Sequence, residues 1–209
     1  MLFRSAGIDL SVGAMVAFVS MMTADLLRKG VNPIIVIIIV LLVGIVFGLG
    51  QGILIQKFKL HPWIVTLAGM FLARGACYLI SIDSIPIDNP IFTKISSFRI
   101  PIGFDSFISI NVIVALLVVI AASYILKYTK FGRTVYAIGG SENSALLMGL
   151  PAAKTKILVY VFSGFCSSLG GLLFTIYTLS GYGLNTNGME MDAIAACVIG
   201  GVILTGGSG

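Results

Sequence analysis

Long apolar stretches without charged residues dominate the chain. Three of them reach the roughly 17–25 residues of helix that cross a hydrocarbon core. They are residues 34–55, residues 106–126 and the first two thirds of residues 157–189. Two weaker stretches are residues 10–27, which contain Asp25, and residues 63–82, which contain Arg74. Because unpaired backbone groups in lipid are costly, each stretch must be helical. The pattern predicts an all-α, polytopic transmembrane helical bundle.

The overall composition supports a membrane environment. Of 209 residues, 58% are hydrophobic and 10% are charged, and the mean hydropathy is +1.09. Soluble domains average about 45–50% apolar and about 25% charged residues. This excludes an ordinary soluble domain and makes the lipid bilayer the first expected partner.

The two ends lead us to expect a fold truncated at both ends. Residues 193–204 form an apolar run too short to span a membrane, and the chain then stops in "TGGSG". The opening "MLFRS" lacks the apolar h-region of a signal peptide. We treat residues 1–5 as a non-native artefact and residues 6–209 as the native part.

The distribution of Lys and Arg predicts the orientation in the membrane. Arg4 and Arg74 are left out of the comparison. One end of the bundle would carry Lys57, Lys59, Lys127, Lys130, Arg133, Lys154 and Lys156. The other would carry Arg28, Lys29, Lys94 and Arg99. The richer end should be cytoplasmic, which makes residues 56–62 and 127–156 cytoplasmic loops and residues 83–105 an external loop.

Polar residues open the first apolar stretch, in "AGIDLSVGAM". Asp9 or Ser11 can accept hydrogen bonds from the unpaired N–H groups at a helix start. Gly7 and Gly13 let the chain turn or break there. We expect a broken or re-entrant helix, a device that transporters use at binding sites. The alternative is an ordinary helix cap at the membrane interface.

A similar pattern recurs near the other end, in "EMDAIAACVIGG". Asp192 precedes a short apolar run that ends in Gly200 and Gly201. Two short apolar segments headed by an acidic residue hint at an internal duplication.

Small residues recur at helical spacing on two of the spans. Gly44, Gly48 and Gly52 share one face of the second span, and Ser163, Ser167 and Gly171 share a face of the fifth. Such faces let another helix approach closely. They indicate tight packing or, alternatively, the lining of a route between two halves of the bundle.

The loop at residues 127–156 contains a short candidate helix. Ser141 can cap it, Glu142 complements its dipole, and Gly149 ends it. Residues 145–148, "ALLM", are too apolar for an exposed loop helix. This helix either folds back on its own bundle or docks into a groove of a partner, and we favour docking.

Enzymatic chemistry has little support in the sequence. No Ser/His/Asp set, HExxH or phosphate-binding GK[ST] occurs, and His61 is the only histidine. We expect no catalytic residues, no metal and no cofactor on this chain. Nucleotide energy, if used, would be supplied by another chain.

Three distinctive stretches of the chain are "GIDLSVG", "FGRTVYAIGGSENSALLMGL" and "MDAIAACVIGGVILTGGSG". They resemble the permease subunits of bacterial ABC importers of the ribose/monosaccharide class. They occur in the family's order and spacing from about Gly7 to Gly209. Within the class, "VTLAGMFLARGACYLISIDSIPIDNPIF" is most similar to the second permease of galactofuranose-type importers. Ser141 replaces the usual asparagine, Leu146 the usual arginine and Met191 the usual leucine.

The resemblance implies a permease in the bacterial inner membrane. Residues 6–209 would form a partial permease domain of about five full spans and one partial span. A second permease subunit, cytoplasmic ATPase subunits that bind ATP and Mg²⁺, and a periplasmic sugar-binding protein would be its partners, with no nucleic acid.

The resemblance also implies roles for particular residues. The residues expected near the translocation path are Gly7, Asp9, Ser11, Gly13, Asp192, Gly200 and Gly201. Those expected to contact the ATPase are Gly139, Gly140, Ser141, Glu142, Asn143, Ala145, Leu146 and Gly149.

The alternative function is an ion- or proton-coupled secondary transporter. It would need ionisable groups inside the membrane. Asp9, Arg74 and Asp192 are the candidates.

Overall fold

The computed structural model describes residues 7–103 and 106–202. The expected non-native residues 1–5 and the end of the glycine-rich terminus lie outside the described residues. Within that part of the chain there are nine helices and four short strands. The helices are α1 (Val12–Arg28), α2 (Pro33–Lys57), α3 (Pro62–Ile80), α4 (Pro90–Ser96), α5 (Ile110–Tyr128), α6 (Lys130–Gly140), α7 (Glu142–Leu147), α8 (Ala152–Thr178) and α9 (Met189–Ile199). The strands are β1 (Ile85–Pro86), β2 (Arg99–Gly103), β3 (Ser106–Ser109) and β4 (Ser180–Gly181).

Four helices, α2, α3, α5 and α8, are long and apolar enough to cross a membrane. The predicted polytopic helical bundle is therefore confirmed. The weaker predicted span at residues 10–27 becomes α1, which has 17 residues. At about 1.5 Å per residue, α1 is about 25 Å long, at the short end of the spanning range.

The strands form two small antiparallel pairs at the predicted external end. β1 pairs with β4, and β2 pairs with β3. The prediction of a helix from residue 106 is therefore wrong for its first four residues, and α5 begins at Ile110. Pairing with β2 provides hydrogen-bond partners for the backbone of residues 106–109. These residues therefore do not need to be helical to satisfy their N–H and C=O groups.

Proline and asparagine set several helix starts. Pro33, Pro62 and Pro90 each occupy the first position of a helix, where the missing N–H is not needed. The side chain of Asn32 accepts a 2.9 Å hydrogen bond from the Ile34 N–H and caps α2.

Helix α1 is the centre of the bundle and packs on α8, α3 and α2. Most of its residues are buried, and Met15, Val19 and Met21 belong to the main apolar core. By contrast, none of the residues of α5, all of which the structure describes, is buried. The polar start of α1 is thus held in the interior while α5 lies at the edge.

The predicted small-residue face of α2 packs closely on α8, but on α8 the contacts are made by Gly164 and Tyr160 and not by Ser163. A Cβ added to Gly44 would clash with the Gly164 carbonyl, and one added to Gly48 would clash with the Tyr160 carbonyl. Likewise, a Cβ on Gly171 would press on the backbone of Val16. Backbone contact at these positions brings α2, α8 and α1 together, which requires glycine.

Residues 130–140, predicted as part of a loop, form a helix, α6. The segment contains Gly132, Gly139 and Gly140, which have weak helix propensity. Thr129 caps α6 by accepting from the Gly132 N–H at 3.2 Å, and the buried Val135 and Ile138 anchor it. Burial of this face outweighs the weak helix propensity of the glycines.

Candidate functional site

Asp9 is the centre of a buried polar cluster. Its Oδ1 accepts hydrogen bonds from the backbone N–H and the Oγ of Ser11, at 2.9 and 2.6 Å. Its Oδ2 accepts from Ser163 Oγ at 2.6 Å. Gln51 Nε2 donates to Ser11 Oγ at 3.0 Å. The cluster joins the segment before α1 to α2 and α8.

The cluster lies inside the bundle, since Asp9 is only 7% exposed. Residues 7–11 are non-helical, and the predicted irregular backbone is therefore buried in protein. Neither side chain caps α1 as expected, because Asp9 binds the Ser11 N–H and Ser11 makes no capping bond to the helix. The alternative prediction, an ordinary helix cap at the membrane interface, is therefore wrong.

Within residues 7–103 and 106–202, the Asp9 carboxylate accepts hydrogen bonds from hydroxyl and backbone amide groups and forms no ion pair with a cation. Among the residues that the structure describes, the ion pairs join Asp25 to Arg28 and Lys29, and Glu142 to Lys156. Three hydrogen bonds to Asp9 compensate for part of the solvation lost on burial. Gln51 and Ser163 are the members of the cluster that were not predicted as site residues. For Gln51 a signal was available, a lone polar side chain in the apolar α2.

Gly13 lies against a second polar cluster. Thr186 Oγ1 donates to the Gly13 carbonyl at 2.8 Å, and a Cβ on Gly13 would clash with Glu190 Oε2. That carboxylate oxygen is buried and has no hydrogen-bond partner in the described part of the chain. Glu190 is thus the acidic residue that the structure brings to the start of α1.

Arg74 holds the loop of this second cluster in place. Its guanidinium donates to the carbonyls of Gly183, Asn185 and Thr186 at 2.7, 2.9 and 3.1 Å. Arg74, which interrupts the apolar sequence of α3, therefore donates to backbone carbonyls of the segment that leads to α9.

Asp192, which heads the second predicted apolar segment, lies outside the Asp9 cluster. Asp192 is exposed on α9, as are Gly200 and Gly201 beyond its end. Gly201 has a φ of 89° and ends α9 in a left-handed turn. The structure does not bring these three residues into the Asp9 cluster. The segments that begin at Asp9 and at Asp192 are therefore similar in sequence pattern, but Asp9 is buried and Asp192 is exposed.

The helix predicted in the long loop is confirmed as α7. Ser141 Oγ accepts from the Ser144 N–H at 3.2 Å, and Glu142 begins the helix. At the other end, Gly149 has a φ of 73°. The Gly149 and Leu150 N–H groups donate to the Leu146 and Ala145 carbonyls at 3.0 Å, the pattern of a Schellman motif.

The apolar residues of α7 divide between two faces. Ala145 is fully buried and packs with Ile138 and Ala152 of the same chain. Leu146 and Leu147 point outward, at 53% and 90% exposed, and the following Met148 is 65% exposed. The helix therefore folds back on its own bundle through Ala145 and presents an apolar tip, defined here as residues 146–148.

Other predicted contact residues surround this helix. Asn143 is exposed on its outer surface, and Gly139 and Gly140 form the end of α6. Gly7 and Tyr160 share a cavity of about 350 Å³ with Gly139, Gly140 and Ser141. A second cavity of about 400 Å³ is lined by Lys59, Glu142 and Lys156 together with neighbouring residues. The loops at residues 56–62 and 127–156 thus lie at one end of the bundle, as predicted.

Together these features define a multi-pass helical membrane protein of the permease class. It has a buried polar site at the non-helical segment before α1 and a structured loop at one end. The chain belongs to the family described as "Branched-chain amino acid transport system / permease component", which it matches over residues 1–208.

Similar proteins are sugar-transport and ABC-transport permeases. The chain is 43% identical over 206 residues to the inner membrane ABC transporter permease protein YjfF of Escherichia coli strain K12. It is 42% identical over 221 residues to the fructose import permease protein FruG of Bifidobacterium longum, and 37% identical over 205 residues to the ribose import permease protein RbsC of Bacillus subtilis.

Each alignment covers 98% of this chain but only 62–63% of the relative. The chain therefore spans less than two thirds of the length of these relatives. No solved structure matches the chain.

Proposed function

We propose that this chain is part of a permease subunit of an ATP-driven importer in the bacterial inner membrane, which translocates a monosaccharide. Family membership and the import functions named for FruG and RbsC support this class. A pentose or hexose is the proposed substrate, and the resemblance to galactofuranose-type permeases makes galactofuranose one candidate.

The observation that carries the proposal is the apolar tip of α7. An exposed apolar patch held rigidly by an N-cap and a Schellman motif is suited to protein contact. It lies at the end of the bundle predicted to be cytoplasmic. We propose that the tip docks into a cytoplasmic ATPase subunit, which binds ATP and Mg²⁺, and that this chain has no catalytic residues of its own.

The polar cluster around Asp9 supports a path for a neutral, hydroxylated substrate. Serine hydroxyls already bond to both oxygens of Asp9. Sugar hydroxyls offer the same donor groups, so the site is chemically matched to them. A second permease subunit, identical or homologous, would form the other side of the path, and a periplasmic sugar-binding protein would deliver the sugar.

The test uses the full-length permease expressed with its ATPase and binding protein. Leu147→Asp should abolish co-purification of the ATPase and uptake of labelled sugar, because it places a charge in an apolar contact. Leu147→Met keeps the tip apolar and is the matched control. Normal co-purification and uptake with Leu147→Asp would remove α7 from the interface.

The alternative, an ion- or proton-coupled carrier, is favoured by two observations. Asp9 is a buried carboxylate, and Glu190 Oε2 is buried without a partner in the described residues. Uptake in vesicles distinguishes the two functions. Transport that continues after ionophores collapse the ion gradients, and stops when ATP is removed, supports the importer. The reverse result supports the carrier.

A further inference from the structure

Helix α8 carries a buried tyrosine hydroxyl that makes no hydrogen bond within the described part of the chain. Tyr160 is only 3% exposed, and its Oη is among the buried polar atoms without a partner there. Burying a hydroxyl without a partner is costly, and folded proteins contain few such groups. The ring packs on Ile55 and Val65, which holds the hydroxyl in a fixed place. The hydroxyl is therefore available to a molecule that comes within its reach.

Tyr160 lines the cavity of about 350 Å³ that also contacts Gly7 and Ser141, called here the inner cavity. On α2 the inner cavity is lined by Ile55, which is four residues beyond Gln51. On α8 it is lined by Tyr160, which is three residues before Ser163. Three or four residues make about one helical turn. The inner cavity therefore lies about one turn from the Asp9 cluster, towards the end of the bundle predicted to be cytoplasmic.

The walls of the inner cavity are mainly apolar, with a few polar groups. Ile55, Pro62 and Ile138 contribute apolar surface, and Ser141 and Tyr160 contribute hydroxyl groups. Its volume of about 350 Å³ lies within the roughly 300–1,000 Å³ that is typical of small-molecule sites. Size and lining together suit a small molecule that has both C–H surfaces and hydroxyl groups.

The charged residues of the inner cavity neutralise each other. Glu142 and Lys156 both line it, and Lys156 Nζ is 2.6 Å from Glu142 Oε2. The lining therefore has no net charge, so neither an anion nor a cation is favoured over a neutral molecule. A tyrosine hydroxyl both donates and accepts hydrogen bonds, as sugar hydroxyls do.

We propose that the inner cavity is a binding site for a monosaccharide, in which the Tyr160 hydroxyl bonds to a sugar hydroxyl. This inference rests on the proposed function for the choice of a monosaccharide as the ligand. The sugar occupies the inner cavity beyond the Asp9 cluster, at the predicted cytoplasmic end of the bundle. Because one hydroxyl bonds equally well to many sugar hydroxyls, this contact does not select between pentoses and hexoses.

The experiment measures binding of D-ribose, D-fructose and D-galactose in turn, by saturation-transfer NMR, to the full-length permease in nanodiscs. Tyr160→Phe keeps the ring and removes the hydroxyl, and it should weaken binding by about two- to tenfold, the effect of one hydrogen bond between neutral groups. The melting temperature without sugar should stay the same or rise, because a hydroxyl that lacks a partner is removed. A hydroxyl with only a structural role would lower it. Tyr177→Phe, at an exposed position of the same helix, is the matched control.

A second variant tests whether the sugar lies in the inner cavity. Gly140 lines this cavity, and a Cβ added there would meet no atom within 4 Å. Gly140→Leu should therefore fit without a clash at its Cβ, reduce the space for the sugar and weaken binding. Gly75 has an equally open Cβ position on α3, so Gly75→Leu is its control.

Uptake by the complete importer in proteoliposomes, with and without ATP, is measured alongside binding. Weaker binding in both Tyr160→Phe and Gly140→Leu, with normal binding in the two controls, supports the proposal. Unchanged binding in either variant would overturn it, and so would the absence of sugar binding to a permease whose importer takes up that sugar with ATP. The importer would then stand, and the inner cavity would hold water only. Sugar uptake that continues without ATP would overturn the ATP-driven importer, whereas the binding comparison would still decide for or against the cavity.

Discussion

Ser163 Oγ and Asp9 Oδ2 are joined by a 2.6 Å hydrogen bond, although the residues are 154 positions apart. The bond ties the irregular segment before α1 to the middle of α8. Ser11 Oγ and its N–H bind the other carboxylate oxygen. The start of α1 is therefore fixed by one carboxylate that serves three donors.

The first prediction concerns the charge on Asp9. Asp9→Leu would leave the three donors without their acceptor and should lower the free energy of unfolding by at least about 1–3 kcal/mol. Asp9→Asn keeps one carbonyl oxygen and should have a much smaller effect. Thermal unfolding of the full-length permease in detergent and uptake of labelled sugar measure both effects.

Asp88→Leu, at an exposed position in the predicted external segment, is the control for Asp9→Leu. The contrary result would be an equal loss of uptake with Asp9→Asn and Asp9→Leu. It would mean that the negative charge itself is needed, which favours the ion-coupled carrier.

The second prediction compares two glycines of α2. Gly48→Ala should lower the free energy of unfolding by about 1–3 kcal/mol or more, because the new Cβ clashes with the Tyr160 carbonyl. Gly50 has open space around its Cβ position. Gly50→Ala should be neutral or should stabilise the helix by up to about 1 kcal/mol.

Thermal unfolding of the two variants, prepared in the same detergent, checks the comparison. Equal melting temperatures for Gly48→Ala and the unmodified protein would show that α2 and α8 are not in backbone contact there.

Particular residues show what the sequence could predict. The spacing of Gly44, Gly48 and Gly52 predicted a contact face because the helical period is local information. The distant contacts of the Asp9 cluster could not be predicted, because Ser163 donates to Asp9 and Gln51 donates to Ser11 only once the helices have packed. For the same reason Glu190 was missed, although Asp192 stands only two residues away.

The third prediction concerns Arg74. Arg74→Ala should free the loop of residues 183–186, because three carbonyls lose a charged donor, and one such bond contributes about 1.5–3 kcal/mol. Faster hydrogen–deuterium exchange in this loop and in α9 would measure the effect. Arg74→Lys should show an intermediate effect, since an ammonium group cannot reproduce the guanidinium geometry.

Arg28→Ala provides the control for Arg74→Ala. It removes an exposed arginine whose partner, Asp25, keeps its ion pair with Lys29 at 2.6 Å. Unchanged exchange in Arg74→Ala would mean that the loop is held by other contacts, such as the bond from Thr186 to the Gly13 carbonyl.

The last prediction separates the buried and exposed faces of α7. The family resemblance implied that Ala145 contacts the ATPase, but its side chain is buried and packs with Ile138 and Ala152. Ala145→Asp should therefore unfold α7 within its own chain, because the buried charge loses its water and gains no partner. Limited proteolysis of the full-length permease, reconstituted without ATPase, should cut Ala145→Asp within residues 130–151 and leave Leu147→Asp resistant. Equal resistance of both variants would place Ala145 on the docking surface, and its effect would then appear only when the ATPase is added.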